Sequence, residues 1–261
     1  MQKCTFPFEI VIHDDASTDR TVEIIKEYAD IYPSLIFPIY QTENQFSKKE
    51  GSIESRFVWP YTRGKYIAIC EGDDYWTDSG KLQKQVDLLE ADPDCSLCFH
   101  NSVMTYVDGS KKDKLFCKDF KNKQTFDTKD LILRNWFVST ASTMFRKSDI
   151  PDFPAWRKDV FNGDLALQLF LSLKGKLVYI DEVMSVYRAN AINSLSTVKR
   201  KSTFWFDNLI FLFLNFNRYT DKKYNRYVRW IVLKLYMQSK VHILYLMFMK
   251  IPGPWTKKKS R

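Results

Sequence analysis

Residues 8–15 read FEIVIHDD, and residues 66–74 read YIAICEGDD. Each segment is a short run rich in apolar residues that ends directly in acidic residues, as expected of a strand that enters a turn. Apolar residues at helical spacing follow both segments, at positions 22–32 and 81–91. Strand, acidic turn and helix in this order predict an α/β domain. Shorter apolar runs predict further strands at 35–40, 96–100 and 177–180.

The composition of the 261-residue chain is that of a globular protein, with 45% hydrophobic and 27% charged residues. Five cysteines are too few for a disulfide scaffold in a chain of this length and predict a reducing compartment. The longest uninterrupted apolar run, residues 243–249, is far shorter than the roughly 20 residues that span a bilayer. The N-terminus carries no apolar signal segment, so we predict a cytoplasmic protein.

The charge of the chain is concentrated at its C-terminal end. Residues 199–261 hold 15 basic and two acidic residues, a net charge of +13, whereas residues 1–198 have a net charge of −4. This distribution does not fit a nucleic-acid footprint over the whole domain. A basic, aromatic segment predicts either contact with an anionic membrane surface or a solvated helical face. One stripe at helical spacing either rests in a membrane interface or packs on the body of the protein: Val228, Ile231, Val232, Leu235, Tyr236 and Ser239.

Two acidic pairs follow predicted strands, Asp14-Asp15 after the first and Asp73-Asp74 after the run at 66–70. Ligands of open α/β sheets bind outside the carboxyl ends of the strands, so both pairs could face one crevice. Paired carboxylates are suited to Mg²⁺ or Mn²⁺ that bridges a diphosphate. The alternative is that each pair only forms a turn or caps a helix. As an exposed turn carboxylate, Asp74 is expected to contribute little to packing.

A third acidic position is Asp164, which follows Asn162-Gly163 and precedes an apolar helical pattern. Asp164 could be the N-cap of that helix. It could equally be a general base that accepts a proton from an attacking hydroxyl group.

Four segments resemble family 2 inverting glycosyltransferases in the same order. Residues 8–19, FEIVIHDDASTD, are similar to the family's DDxSTD segment, and residues 66–82, YIAICEGDDYWTDSGKL, to its metal-binding signature. Residues 162–164, NGD, resemble the catalytic-base motif, and residues 180–188, IDEVMSVYR, the strand and turn after it. The resemblance implies a GT-A nucleotide-diphospho-sugar transferase fold, with a mostly parallel sheet flanked by helices, and here a C-terminal helical tail. The likeness is to bacterial enzymes of surface-polysaccharide synthesis.

The resemblance also implies roles for individual residues. Glu71 stands where the family has an Asp, which keeps the charge on a longer side chain. Asp164 would deprotonate the acceptor hydroxyl. Trp76 either stacks on a sugar face or is a half-buried core aromatic. The implied assignments are Asp14 and Asp15 to the nucleobase and ribose, Asp73 to donor and metal, Asp74 to Mn²⁺ or Mg²⁺, and Arg188 to the diphosphate.

This interpretation divides the chain into three parts: a nucleotide-sugar-binding half at 1–105, an acceptor and catalytic-base half at 106–198, and a basic, aromatic helical tail at 199–261. The implied partners are a nucleotide-diphosphate sugar donor and a saccharide or lipid-linked acceptor, with no nucleic acid. A further partner that the tail allows is the inner face of the plasma membrane, through peripheral contact.

The start of the chain departs from the family pattern, because only residues 1–5 precede the segment at Phe6. Family members have a strand and a helix before it, and their loss predicts an exposed sheet edge and weak donor binding. Two alternatives to an active enzyme stay open, one from this missing start and one from the basic tail. The chain could be a truncated, non-catalytic remnant, or a membrane-surface binding module on a glycosyltransferase-like scaffold.

Overall fold

The computed structural model describes residues 1–190, apart from 49, 119 and 121, and residues 204–250, with side chains up to residue 241. Contacts divide the chain into two compact units, Met1–Ala189 and Asn190–Arg261. Within the described ranges, the elements in chain order are β1 (Ile10–Asp14), α1 (Thr21–Ile31), β2 (Ile36–Tyr40), β3 (Tyr66–Ala68), β4 (Tyr75–Trp76), α2 (Lys81–Ala91), β5 (Cys95–Tyr106), β6 (Lys114–Leu115), β7 (Thr125–Phe126), α3 (Thr128–Arg134), β8 (Met144–Arg146), α4 (Gly163–Leu171), β9 (Lys176–Ala189), α5 (Phe204–Tyr219) and α6 (Asn225–Lys250).

The first unit contains two sheets. Strands β1 and β2 form a parallel pair, and the remaining strands form a mixed sheet of order β3-β8-β5-β9-β4, with β6 on β5 and β7 on β9. The long β5–β9 pair is parallel, whereas the short strands β3, β4, β6, β7 and β8 pair antiparallel to their neighbours. The predicted α/β class with a helical C-terminal region is confirmed. Strand β3 lies within the predicted run at 66–70, whereas β4, β6, β7 and β8 have only two or three residues each, which is too few to leave a hydrophobic period in the sequence.

The core of the first unit is built on β5 and β9, as their apolar sequences require. Leu97, Cys98 and Phe99 of β5 are fully buried, as is Leu177 of β9. Helix α2 has the bounds that its periodicity predicts, and it buries Leu82 and Leu89 against the sheet residues Cys95, Cys98 and Met144. Strand β5 extends six residues beyond the predicted end at His100, because its later residues pair with β9.

The N-terminal residues lie along helix α2 and its preceding turn. The backbone N–H of Lys3 donates to the carbonyl of Ser79 at 2.7 Å, and the Gln2 side chain accepts from the N–H of Leu82 at 3.0 Å. Phe6 and Phe8 pack against the core cluster beside α2. These contacts fix the direction in which the chain enters β1.

The described part of the second unit contains α5 and α6, which pack against each other. The sequence left two alternatives for one stripe, contact with a membrane interface or packing against protein: Val228, Ile231, Val232, Leu235, Tyr236 and Ser239. Burial of most of the stripe favours the packing alternative. Val228, Ile231, Leu235 and Ser239 are buried. Helix α6 has apolar residues on two opposite sides, so its sequence alone does not show which side is buried. Among the described residues, no helix combines the length and apolarity needed to cross a membrane.

Candidate active site

The acidic segment Glu71-Gly72-Asp73-Asp74 forms a tight turn between β3 and β4. The N–H of Asp74 donates to the carbonyl of Glu71 at 3.0 Å, and β4 then pairs with β9. This pairing brings the turn next to Arg188 near the end of β9. The Arg188 N–H donates to Asp74 Oδ1 at 2.9 Å, and its Nε donates to the carbonyl oxygen of Asp73. The predicted residues Asp73, Asp74 and Arg188 therefore lie together.

The Asp74 side chain is buried, contrary to the expectation of an exposed turn carboxylate. The hydrogen bond that Asp74 accepts from the Arg188 N–H holds its side chain against β9. Burial raises the pKa of Asp74 to about 6, although the hydrogen bond and charge of Arg188 oppose the shift. A carboxylate that is costly to ionise without a cation fits a metal-binding role.

Glu71 has a more strongly perturbed environment than Asp74. Burial raises its pKa to about 8, and the negative charges of Asp74 and Asp164 act in the same direction. The Thr140 side chain hydrogen-bonds the Glu71 carboxylate, but Oε2 of Glu71 is buried without a hydrogen-bond partner among the described residues. A buried oxygen without a partner is costly, and a bound cation or hydroxyl group would satisfy it.

We expect the metal-free protein to lose stability as the pH rises from 6 to 8. The pKa of Glu71 is 4.5 in its ordinary state and about 8 here, so in this interval the folded protein binds a proton that the unfolded chain releases. The free energy of unfolding therefore falls with rising pH, by an amount on the order of a few kcal/mol. Asp74 acts in the same direction, but its contribution ends near pH 6. Glu71→Gln should flatten the curve of melting temperature against pH above 6.

The control for this prediction is Glu27→Gln, which removes the same charge from the exposed surface of α1. This variant should follow the wild-type curve. If Glu71→Gln also follows the wild-type curve from pH 6 to 8, Glu71 is not held protonated by its surroundings.

Asp164 lies in the first turn of α4, one position after Gly163. The N-cap position belongs to Asn162, so the structure does not assign the cap to Asp164. Burial raises the pKa of Asp164, while the N–H of Leu165 and the positive charge of Arg157 oppose the shift. Because the charges of Asp164 and Glu71 interact, Asp164 belongs to the same acidic group as the turn after β3.

Arg157 is a buried cation that supports this helix start. Its Nη2 donates to the carbonyl of Gly163 at 3.0 Å, and a Cβ added to Gly163 would lie 2.8 Å from that nitrogen. A side chain at 163 would therefore displace the guanidinium from its present position. Glu54 interacts electrostatically with both Arg157 and Asp164, and also with His13 beside the first acidic pair.

The first acidic pair ends β1 at a shallow pocket of about 420 Å³. Ala16 takes a left-handed φ of 61°, and the next N–H, that of Ser17, donates to Asp14 Oδ2 at 3.1 Å. The pocket is lined by Asp14, Ala16, Ser17, Thr18, Val22, Lys26, Tyr40, Gln41 and Thr42. Asp15 is placed differently, because its two oxygens accept the N–H groups of Gln45 at 2.7 Å and Phe46 at 2.9 Å. Asp14 borders the pocket, and Asp15 orders the neighbouring loop.

The ring of Trp76 contacts the ammonium group of a buried lysine. The Lys81 ammonium lies 4.0 Å from the centre of the indole ring and donates to Gln85 Oε1 at 2.6 Å. Burial lowers the pKa of Lys81 to about 7. Trp76 Nε1 donates to the carbonyl of Ala141 at 2.9 Å. Trp76 is half-buried and packs against the core cluster beside α2, as the core-aromatic alternative predicts.

The same network reaches the acidic turn through residues 140–142. Gln85 Nε2 donates to the carbonyl of Ser142 at 2.8 Å, next to the Ala141 carbonyl that Trp76 contacts. Thr140, in the same short turn, hydrogen-bonds Glu71. Sequence reasoning missed Thr140, Arg157 and the role of Lys81. Lys81 alone had a sequence signal, as a lysine beside the apolar positions of a predicted helix. Thr140 and Arg157 lie in short 3-10 turns, which have no such periodicity.

The carboxylates fit a divalent cation that is shared with a phosphate ligand. Among the described residues, no group of three or more His, Cys, Asp or Glu side chains is already arranged to hold a metal ion. Mg²⁺ is usually bound by one or two carboxylates together with substrate phosphates, so a complete protein cage is not required. The unpartnered Glu71 oxygen and the raised pKa of Asp74 favour cation binding here.

Residues 2–150 match the profile of a family described as glycosyl transferase family 2, which is more than half of the chain. The matched segment includes Asp14, Asp15, Asp73, Asp74 and Trp76. Asp164 and Arg188 lie beyond it.

Curated relatives extend the similarity beyond residue 150. An uncharacterized protein of Mycobacterium tuberculosis is 38% identical over 210 residues, which are 78% of this chain and 57% of that protein. The chain thus spans little more than half the length of that relative. The putative teichuronic acid biosynthesis glycosyltransferase TuaG of Bacillus subtilis is 28% identical over 204 residues, 76% of this chain and 75% of TuaG.

A shorter match is to the UDP-Glc:alpha-D-GlcNAc-diphosphoundecaprenol beta-1,3-glucosyltransferase WfaP of Escherichia coli, 33% identical over 84 residues, 32% of this chain and 30% of WfaP. The family profile and these relatives confirm the resemblance seen in the sequence motifs. On this evidence the chain belongs to glycosyl transferase family 2.

Proposed function

We propose that the protein transfers a sugar from a nucleotide-diphosphate donor to a saccharide or lipid-linked acceptor, with inversion, in the synthesis of cell-surface polysaccharide. The observation that carries this proposal is the grouping of Glu71, Asp73, Asp74 and Arg188 with Asp164, from separate parts of the chain. The names of TuaG and WfaP, which refer to teichuronic acid and to a diphosphoundecaprenol acceptor, support the class of product and acceptor.

In this proposal the nucleotide half of the donor lies toward Asp14 and its pocket, and the diphosphate lies toward the turn after β3. Asp74 and Asp73 would hold Mn²⁺ or Mg²⁺, and the ion would supply positive charge to the departing nucleotide diphosphate. The Arg188 guanidinium adds charge at the same place, and its Nε bond to the Asp73 carbonyl fixes its position.

Asp164 acts as the general base. It accepts the proton of the acceptor hydroxyl while that oxygen forms a bond to the anomeric carbon. The bond from this carbon to the donor phosphate breaks on the opposite face, so the configuration inverts. Burial raises the pKa of Asp164, which strengthens it as a base, and the positive charge of Arg157 opposes that shift.

The test is a screen of UDP- and GDP-sugars with and without Mn²⁺, with release of the nucleotide diphosphate and the shift in melting temperature as readouts. Ligand that binds only the folded state stabilises it, by about 2.7 kcal/mol at a concentration of 100 times Kd. We expect one nucleotide class to stabilise the protein only with the metal ion and to be hydrolysed slowly.

The two alternatives give different results in that screen. A non-catalytic remnant shows neither stabilisation nor nucleotide release with any donor. A module that only binds membranes also shows neither, but it binds vesicles. Stabilisation by the donor without Mn²⁺ would contradict the metal assignment and leave the nucleotide assignment in place.

A further inference from the structure

Helix α6 carries a second apolar stripe on the face opposite to its buried residues. Trp230, Leu233, Met237 and Val241 are 53%, 57%, 54% and 66% exposed. Their spacing of three, four and four residues places them on one side of the helix. The stripe from residue 230 to 241 is about 17 Å long, at 1.5 Å per residue. The buried residues Val228, Ile231 and Leu235 lie on the other side.

Basic residues border this exposed stripe on both sides. At 100° per residue, Arg229 and Lys240 fall on one edge and Lys234 on the other. The Lys234 ammonium lies 5.2 Å from the Trp230 ring centre, and the Lys240 ammonium lies 5.1 Å from that of Tyr236. The 26 residues Asn225–Lys250 contain no Asp or Glu.

We propose that this face of α6, defined by Trp230, Leu233, Met237 and Val241, docks on an anionic lipid bilayer and lies in its interface. Apolar side chains flanked by Lys and Arg, with Trp and Tyr at the boundary, are the composition of helices that rest at the headgroup level. On the bilayer, the long side chains of Lys234 and Lys240 would extend from these rings so that their ammonium groups contact the lipid phosphates.

Charge favours a membrane over a second copy of the chain. Two α6 faces brought together would place Arg229, Lys234 and Lys240 of one copy against basic residues of the other, without a carboxylate in either helix. A bilayer with anionic headgroups provides the opposite charge and an apolar layer at once. The helix lies on the membrane rather than crossing it, in keeping with the hydropathy of the described helices.

The test measures co-sedimentation of the full chain with vesicles of phosphatidylcholine and phosphatidylglycerol, against vesicles of phosphatidylcholine alone. We expect binding to the anionic vesicles that weakens as salt increases, because the contact is partly electrostatic. The double variant Leu233→Gln and Met237→Gln should reduce the partition coefficient at least about tenfold, since burial of each such side chain is worth that factor. Lys234→Gln with Lys240→Gln should reduce it on anionic vesicles only.

The matched control is Leu214→Gln in α5, where the residue is 39% exposed on a face that also carries Asp207. This variant should bind like wild type, and circular dichroism should show the same helix content in all variants. Absence of wild-type binding to anionic vesicles, or equal loss in Leu214→Gln and the α6 double variant, would overturn the proposal. A concentration-dependent dimer that is lost in the double variant, without vesicle binding, would assign the face to a second copy instead.

Discussion

Asp164→Asn is expected to lower the rate of sugar transfer by a factor on the order of 10²–10⁴, the usual contribution of a general base. Asn has nearly the same shape as Asp and can still accept the Leu165 N–H, so the start of α4 should be kept. Because an amide cannot take the acceptor proton, only the chemical step is affected. The measurements are initial transfer rates and donor affinity by calorimetry, and the donor affinity should stay within about twofold of wild type.

The control for Asp164→Asn is Asp152→Asn, an exposed carboxylate in the segment before α4, which should transfer at the wild-type rate. The wild-type rate should also fall as the pH is lowered through the raised pKa of Asp164, since the base must be ionised. Near-normal turnover by Asp164→Asn would show that Asp164 is not the general base and has only a structural role at the start of α4.

The second large effect is expected for Asp74→Asn, which should weaken metal-dependent donor binding by about 100-fold or more. Even residues that only orient metal ligands cost about 10–100-fold when removed. Asn is preferred to Ala here, because Asp74 is buried and accepts the Arg188 N–H at 2.9 Å. Asn keeps that acceptor, whereas Ala would leave the N–H without a partner and confuse a loss of stability with a loss of binding.

Calorimetric titration of UDP in the presence and absence of Mn²⁺ measures this effect. Asp87→Asn, on the exposed face of α2, removes a carboxylate of the same type outside the site and should leave the affinity unchanged. An unchanged Mn²⁺-dependent affinity in Asp74→Asn would show that the metal is held elsewhere. The Glu71→Gln pH curve is independent of this result, because it is recorded without metal or donor.

Local patterns were enough to predict the framework of the first unit. Helix α2 has its predicted ends at Lys81 and Ala91, and β2 differs from its predicted range by one residue. Both are set by hydrophobic periodicity within about ten residues, a signal that each segment carries alone. The short strands β4 and β8 could not be predicted, because two or three residues form a strand only when a partner such as β9 or β5 is already present.

The candidate site likewise has features that the sequence predicts and features that arise only on folding. The acidic motifs, their order and their position after strands follow from residues that are neighbours in the sequence, which is why the family could be recognised before the fold was known. The burial of Asp74 by Arg188, the contact of Thr140 with Glu71 and the position of Arg157 behind Gly163 join residues far apart in the chain. Desolvation and Coulomb interaction act through space, so the pKa values that suit these carboxylates to their proposed roles arise only when the chain is folded.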